Sequence, residues 1–366
     1  MKNIRNYIFL CYLLNISFFG HTQTAPKYSN EFLAIGAGAR AFAMGNSNVA
    51  SVSDETAVYW NPAALTQLNY PITLGLMHAE YFAGLAQYDF GVLAFKPDKQ
   101  SAFAISLIRF GVDNIPNTTE LIDENGQLRY DRITSFSVAD YAVSISYARE
   151  LPIKGFTAGG NVKVIHRVGG DFAEAWGFGI DLSALYSSNN LKLGLMVRDI
   201  TTTFNSWTFH TDQLEDVFQL TGNKVPTTST EITLPKAIFG GSYYHKIYKK
   251  FGGLAELNLD ISTDGKRNVL IKSDPFSVDP HIGIELDYNQ LVFLRGGINN
   301  IQKEDKGYKG DESTTLAPNI GLGIKYKRLK IDYALTDLGD VSAAGYSHIF
   351  SLSYSINQVK PIEPKK

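Results

Sequence analysis

The chain runs to 366 residues, and its 34 Lys and Arg against 36 Asp and Glu leave a formal charge of −2. No strongly basic block stands in it, so no nucleic-acid partner is expected. The one cysteine, Cys11, falls in the N-terminal leader, which excludes a disulfide scaffold, a thiol nucleophile and a cysteine metal site from the mature chain.

Residues 1–22 open with Lys2 and Arg5, continue through an apolar stretch from Tyr7 to Phe19 and end in small and polar residues. That order reads as a secretory signal peptide, and the apolar run is shorter than the ~20 residues of a spanning helix. Residues 23–70 read as a separate N-terminal segment. Its stretch AIGAGARAFAMG sets Gly36, Gly38 and Ala41 on the G-x-G-x-x-A spacing of a dinucleotide turn. Such a turn needs a strand before it, a helix after it and a βαβ unit around it, and the surrounding pattern offers none of these. No nucleotide cofactor is therefore expected. The alternative is a compact hatch, in which small residues let backbones approach closely. SVSDETAVYW reads as a short helix capped by Ser53. YWNPAAL reads as a second, with Asn61 at the cap and Pro62 in the first helical position. The plain alternative is an arm that plugs nothing.

From residue 71 to 356 the pattern has period 2. AWGFGIDLSALYSS sets Trp176, Phe178, Ile180, Leu182, Ala184 and Tyr186 on one face, opposite Gly177, Gly179, Asp181 and Ser183. PHIGIELDYN, NIGLGIKYK and SHIFSLSYSI repeat it, and about 14 such segments can be traced. Many are near the ~9–11 residues that a tilted strand needs to cross a bilayer. Short turns (96–100, 150–155, 187–190, 246–252, 289–290, 327–329) alternate with long links (113–134, 202–233, 262–279, 300–315). That alternation predicts an all-β fold: a transmembrane up-and-down barrel of about 14 antiparallel strands, with an N-terminal helical hatch. Alternation alone does not separate this from a soluble β protein. Three features favour the membrane: aromatics at strand ends (Tyr141, Tyr147, Tyr186, Tyr288, Tyr326), polar faces of Gly, Ser and isolated charges (Asp181, Glu256, Asp260, Glu285, Asp332), and a closed wall without unsatisfied edges. The N-terminal segment and the tail 357–366 are then expected on the periplasmic side with the short turns, and outer-membrane lipid is the expected surround.

The stretch FLAIGAGARAFAMGNSNVASVSDETAVYWNPAAL (32–65) resembles the N-terminal signature of the PorV/PorQ family of outer-membrane proteins. GVDNIPNT (111–118) and the closing segment DYALTDLG…HIFSLSYSI (332–356) are similar to further family segments. The family belongs to a wider FadL-like group of 14-stranded barrels whose hatch carries an Asn-Pro-Ala motif, here Asn61, Pro62 and Ala63. Ala64, where relatives often have Gly, and Phe42-Ala43, where a Leu-Gly pair is common, depart from the pattern. The resemblance implies a structural hatch motif in Gly36, Gly38, Arg40, Gly45, Trp60, Asn61, Pro62 and Ala63. It also implies a role in type IX secretion, with translocon and cargo proteins as partners. The FadL relation implies a rival role, the passage of a hydrophobic ligand across the outer membrane.

No G-x-S-x-G, H-E-x-x-H or Walker loop is present, and DENG (123–126) lacks the rest of a calcium loop. No catalytic residue, metal site or cofactor is assigned, and the chain is read as not an enzyme. The link 202–233 carries Phe204, Trp207, Phe209 and Phe218 among polar residues, which marks it as the expected partner-contact loop, since aromatics dominate interface energetics.

Overall fold

The computed structural model describes residues 29–123, 125–210, 228–305, 312–336, 338 and 346–357. Residues 1–22, expected as a signal peptide, residues 358–366 of the tail and Phe218 lie outside the described residues.

Sixteen strand segments follow one another: β1 Ile72–Tyr81, β2 Ala86–Phe95, β3 Ser101–Asn117, β4 Thr134–Glu150, β5 Phe156–Gly169, β6 Ala173–Ser188, β7 Leu191–Arg198, β8 Thr203–Phe209, β9 Thr228–Thr233, β10 Lys236–Tyr248, β11 Phe251–Ser262, β12 Ser277–Tyr288, β13 Val292–Asp305, β14 Glu312–Tyr326, β15 Leu329–Thr336 and β16 Ser347–Ile356. Each pairs antiparallel with its neighbours, and β1 pairs with β16 from Ile72↔Ile356 to Glu80↔His348, which closes the wall. Along β6, Leu182–Ser188 pair with β7 and Ala173–Phe178 pair with β8. β7 and β8 are therefore two halves of one wall strand. β9 and β10 make another, since β9 pairs with β8 and β10 with β7. The barrel has 14 strands.

The alternation resolves as a membrane barrel. Leu74, Leu76, Phe103, Ile105, Leu107, Ile282, Ile284, Leu322 and Ile324 point outward and are exposed, while Gly, Ser, Asp and Glu of the same strands point inward. In a water-soluble barrel the apolar set would fill the interior. Here the outward set meets lipid, and the closed wall leaves no backbone edge unsatisfied in it.

The buried core is the hatch inside the lumen. Ala37, Ala39, Ala41, Ala43, Val49, Ala57, Val58 and Leu65 are almost fully buried there. A helix over Ala39–Ala43 leans on β13–β16, and a 3₁₀ helix over Pro62–Gln67 leans on β3–β6. Wall glycines make the room. A Cβ at Gly297 would stand 2.1 Å from the Met44 carbonyl carbon, and one at Gly159 would stand 2.5 Å from the Ala63 nitrogen. The tiny lumen face seen in the sequence is thus the footprint of the hatch backbone.

Four local expectations are corrected. The helix before Trp60 covers only Ala57–Trp60 and begins after Thr56, because Asp54 turns its carboxylate to the Thr56 N–H at 3.2 Å and Ser53 caps nothing. Phe204, Trp207 and Phe209 stand on β8, so the expected loop 202–233 begins and ends as wall. Tyr141 lies in mid-strand on β4 rather than at an end. The N-terminal segment does not stay with the short turns. Ser29 donates to Glu231 at 2.9 Å, Asn30 donates to Thr233 at 2.8 Å, and Glu31 meets Arg267 at 3.0 Å, all at the rim of the long links. Polar groups of β9 and of the loop after β11 satisfy it there.

Candidate functional site

Glycines with positive φ, Gly36 (132°), Gly38 (86°) and Gly45 (61°), turn the first part of the hatch. At Gly45 a side chain would also meet the Ile298 backbone at 2.6 Å, so glycine is required twice over. Arg40 leaves the helix toward the wall, with Nε 2.9 Å from Glu285 and Nη2 3.1 Å from Ser51 Oγ, and it also donates to Asn48. Trp60 donates its indole N–H to the Ala37 carbonyl at 2.7 Å, which ties the end of the Ala57–Trp60 helix to the turn before the Ala39–Ala43 helix. Asn61 does not cap the helix that follows. Its amide donates to the Val49 carbonyl at 2.8 Å and to the Ala184 carbonyl on β6 at 3.3 Å, which ties the hatch to the wall. Pro62 takes the first position of the 3₁₀ helix, and the Ala63 N–H donates to Ser183 on β6 at 2.9 Å. The structure therefore brings all eight hatch-motif residues into one plug.

Charge locks the plug to the wall at two levels. Toward the short-turn rim, Arg295 on β13 reaches Glu285 at 2.6 Å and Asp332 at 2.8 Å, and Lys330 on β15 joins Asp332 and hatch Asp54, both at 3.0 Å. Glu256 on β11 accepts the N–H groups of Ala50 and Ser51 at 2.8 and 3.0 Å. Toward the other rim, Lys163 on β5 lies 2.8 Å from Asp181 and 2.7 Å from Asp199. Asp199 and Thr202 have positive φ (53° and 60°), and this turn is the break between β7 and β8. The break aims Asp199 inward onto Lys163. Arg198 covers Tyr59 at 4.3 Å and donates to the Leu33 carbonyl at 3.0 Å. The acids were visible in the sequence as isolated charges on a Gly/Ser face. Their cations Lys163, Arg295 and Lys330 gave no separate signal.

A second arrangement, missed by sequence reading, lies on the outside of the wall. Phe95, Phe103 and Tyr147 form a register row across β2–β4 in the lower aromatic girdle. Six residues further along the same strands stands the row Asp89, Arg109 and Tyr141, with His78 of β1 beside it. His78 Nδ1 is 2.7 Å from Asp89, and Arg109 is 2.9 Å from Asp113. Tyr141, His166 and Trp176 continue the row, the last two stacked at 4.1 Å. Six residues at ~3.3 Å and a tilt near 40° give a height of ~15 Å, within the ~25 Å expected of an apolar band. On the opposite wall, Phe251, Ala255, Leu257, Leu259 and Ile261 keep the outward face of β11 apolar over its whole length. Of the aromatics of the expected partner loop, Phe204 points outward and exposed, Trp207 turns inward under Arg167 at 5.1 Å, and Phe209 stacks near Trp207 at 6.3 Å. Among the described residues no cluster of His, Cys, Asp and Glu could hold a metal ion.

Comparison with known proteins bears on this architecture. Residues 21–196 match the family model of the type IX secretion system protein PorV. The search of curated proteins gives no match. Among solved structures, the toluene transporter TodX of Pseudomonas putida aligns at TM-score 0.55 and 13% identity, over 88% of this chain and 98% of that one. The toluene transporter TbuX of Ralstonia pickettii aligns at TM-score 0.53 and 13% identity, over 88% and 99%. A FadL homologue of Pseudomonas aeruginosa aligns at TM-score 0.51 and 12% identity, over 87% and 98%. At such identities the likeness is one of fold. Residues 21–196 are thus similar to the PorV family, and the chain as described shares the fold of the FadL-like outer-membrane β-barrels.

Proposed function

We propose that this outer-membrane barrel serves type IX secretion as a docking partner for translocon or cargo proteins, and that its hatch keeps it shut while it does so. The family match carries the reading. The wall chemistry supports it, because Arg109, Asp89 and His78 stand where a lone barrel would present apolar side chains to lipid. A cationic side chain facing lipid costs ~2–4 kcal/mol at the midplane and less toward the interface, so a polar protein surface is the better neighbour. The outward, exposed Phe204 supplies further contact area.

Passage of a hydrophobic compound is the second reading, favoured by the toluene-transporter folds and by the wall break at Asp199–Thr202 facing Leu234–Pro235. The cavity behind that break measures about 80 Å³, and Lys163, Asp181, Arg198 and Asp199 help to line it. A hydrocarbon would be better served by an apolar chamber of ~300 Å³ or more. Deleting the gene and profiling the surface proteome tests the choice. Loss or periplasmic build-up of proteins bearing type IX sorting domains supports docking. Normal secretion with impaired hydrocarbon uptake overturns it. Recovery of a translocon subunit in mild detergent is the companion test where a second family member could substitute.

A further inference from the structure

At the short-turn end of the lumen, below the hatch, lies a cavity of about 500 Å³ that the docking reading does not use. Its lining carries five cations (Arg40, Lys192, Arg295, Lys325, Lys330) against two carboxylates (Asp54, Glu285). The carboxylates are already shared: Glu285 serves both arginines, and Asp54 serves Lys330. Lys192 finds only the neutral Gln67 oxygen, at 2.6 Å. Lys325 faces Lys330 directly across the β14–β15 pair and has no ion-pair partner among the described residues. Lys330 is neutralised by Asp54 and Asp332, which leaves Lys325 as the uncompensated charge of the pair.

An independent observation points the same way. The Arg295 side chain is fully buried, yet its Nη2 has no hydrogen-bond partner among the described residues, although Nε and Nη1 are both satisfied. A buried guanidinium with an idle N–H pair is one donor set short of an acceptor. The cavity volume lies in the range of ordinary small-molecule sites.

We infer that this vestibule binds a multiply charged anion bearing phosphate or carboxylate groups, held by Lys325, Lys192 and the free edge of Arg295. The inference is independent of the secretion reading, since a barrel in either role could carry the site. A free phosphorylated solute and an acidic peptide segment offer the same chemistry, and two probes separate them.

The experiment uses the full mature chain purified in a zwitterionic detergent, titrated calorimetrically at low ionic strength with inorganic pyrophosphate in one arm and a tetraglutamate peptide in the other. One saturable site per barrel is expected in at least one arm, and the arm that saturates names the source. Lys325→Gln combined with Lys192→Gln should weaken that binding at least tenfold. Lys249→Gln with Lys250→Gln, on the neighbouring turn and outside the cavity lining, should leave it within about twofold. Absence of saturable binding in both arms overturns the inference. So does equal weakening by the turn pair, which would mean diffuse attraction to a basic rim. Unchanged strand content and heat-modifiability of each variant on gels confirm that the barrel is folded.

Discussion

Replacing Gly297 with Ala should loosen the hatch without harming the wall. Gly297 sits on β13 under the turn after the first hatch helix, and an added Cβ would lie 2.1 Å from the Met44 carbonyl carbon and 2.2 Å from the Gly45 nitrogen. Ordinary contact begins at 3.4 Å, so one backbone or the other must move by about 1.3 Å, the difference between 3.4 and 2.1 Å. The wall is held by ladders on both sides of β13, so the hatch gives way. Overpacking of this kind costs ~1–3 kcal/mol, and a clash against main chain belongs at the upper end. With a factor of ten for every ~1.4 kcal/mol, hatch opening should rise about a hundredfold. Gly296→Ala is the matched control, because its Cβ points outward and meets nothing closer than 3.8 Å. Hydrogen exchange over residues 36–68 and the swelling of liposomes carrying the purified barrel read the effect directly. Exchange and swelling indistinguishable between the two variants would refute the idea that lumen glycines exist to seat the hatch.

Other outcomes follow from the same geometry. Asn61→Ala removes the amide that serves the Val49 and Ala184 carbonyls, and should destabilise the hatch by ~1–3 kcal/mol, seen as faster exchange at Val49–Ser51. Lys163→Met leaves Asp181 and Asp199 buried without their cation; a loss of ~3–5 kcal/mol is expected, read in denaturant unfolding, and a further Asp199→Asn change should recover part of it. In the turn after β2, the N–H groups of Gln100 and Ser101 hold the Asp98 carboxyl below the ordinary value of 3.8. Its stabilisation is complete above that ordinary value and is lost as pH falls through the lower folded one, so Asp98→Asn should flatten the acid limb of the unfolding profile. An epitope inserted after Glu120, in the link between β3 and β4, should be labelled on intact cells, and one after Lys366 should not.

Much of the barrel was legible because the period of a strand is 2 and the loop lengths alternate: AWGFGIDLSALYSS and NIGLGIKYK each gave their lipid face correctly. Strand breaks were not legible. Asp199–Thr202 carries no Gly or Pro, and its positive-φ turn brings Asp199 to Lys163 two strands along the wall, a contact 36 residues away in sequence. The hatch was legible as a run of small residues, but Asn61 misled. Local spacing makes Asn-Pro a cap, whereas burial against Val49 and Ala184 gives the amide better acceptors. The outer row was hidden for a different reason: His78 and Asp89 fit the alternation of their own strands. Only the register that joins them to Arg109 shows three charged or titratable groups in one lipid-level patch.

Site-specific photocrosslinking in living cells tests the docking claim most directly. A benzophenone amino acid is placed at Arg109, in the polar row, and at Leu322, on the apolar wall of β14. The docking account expects a crosslink from position 109 to a type IX translocon or cargo protein, identified by mass spectrometry, and none to protein from position 322. Position 109 behaving as position 322 does, with no protein adduct while secretion proceeds, would contradict it.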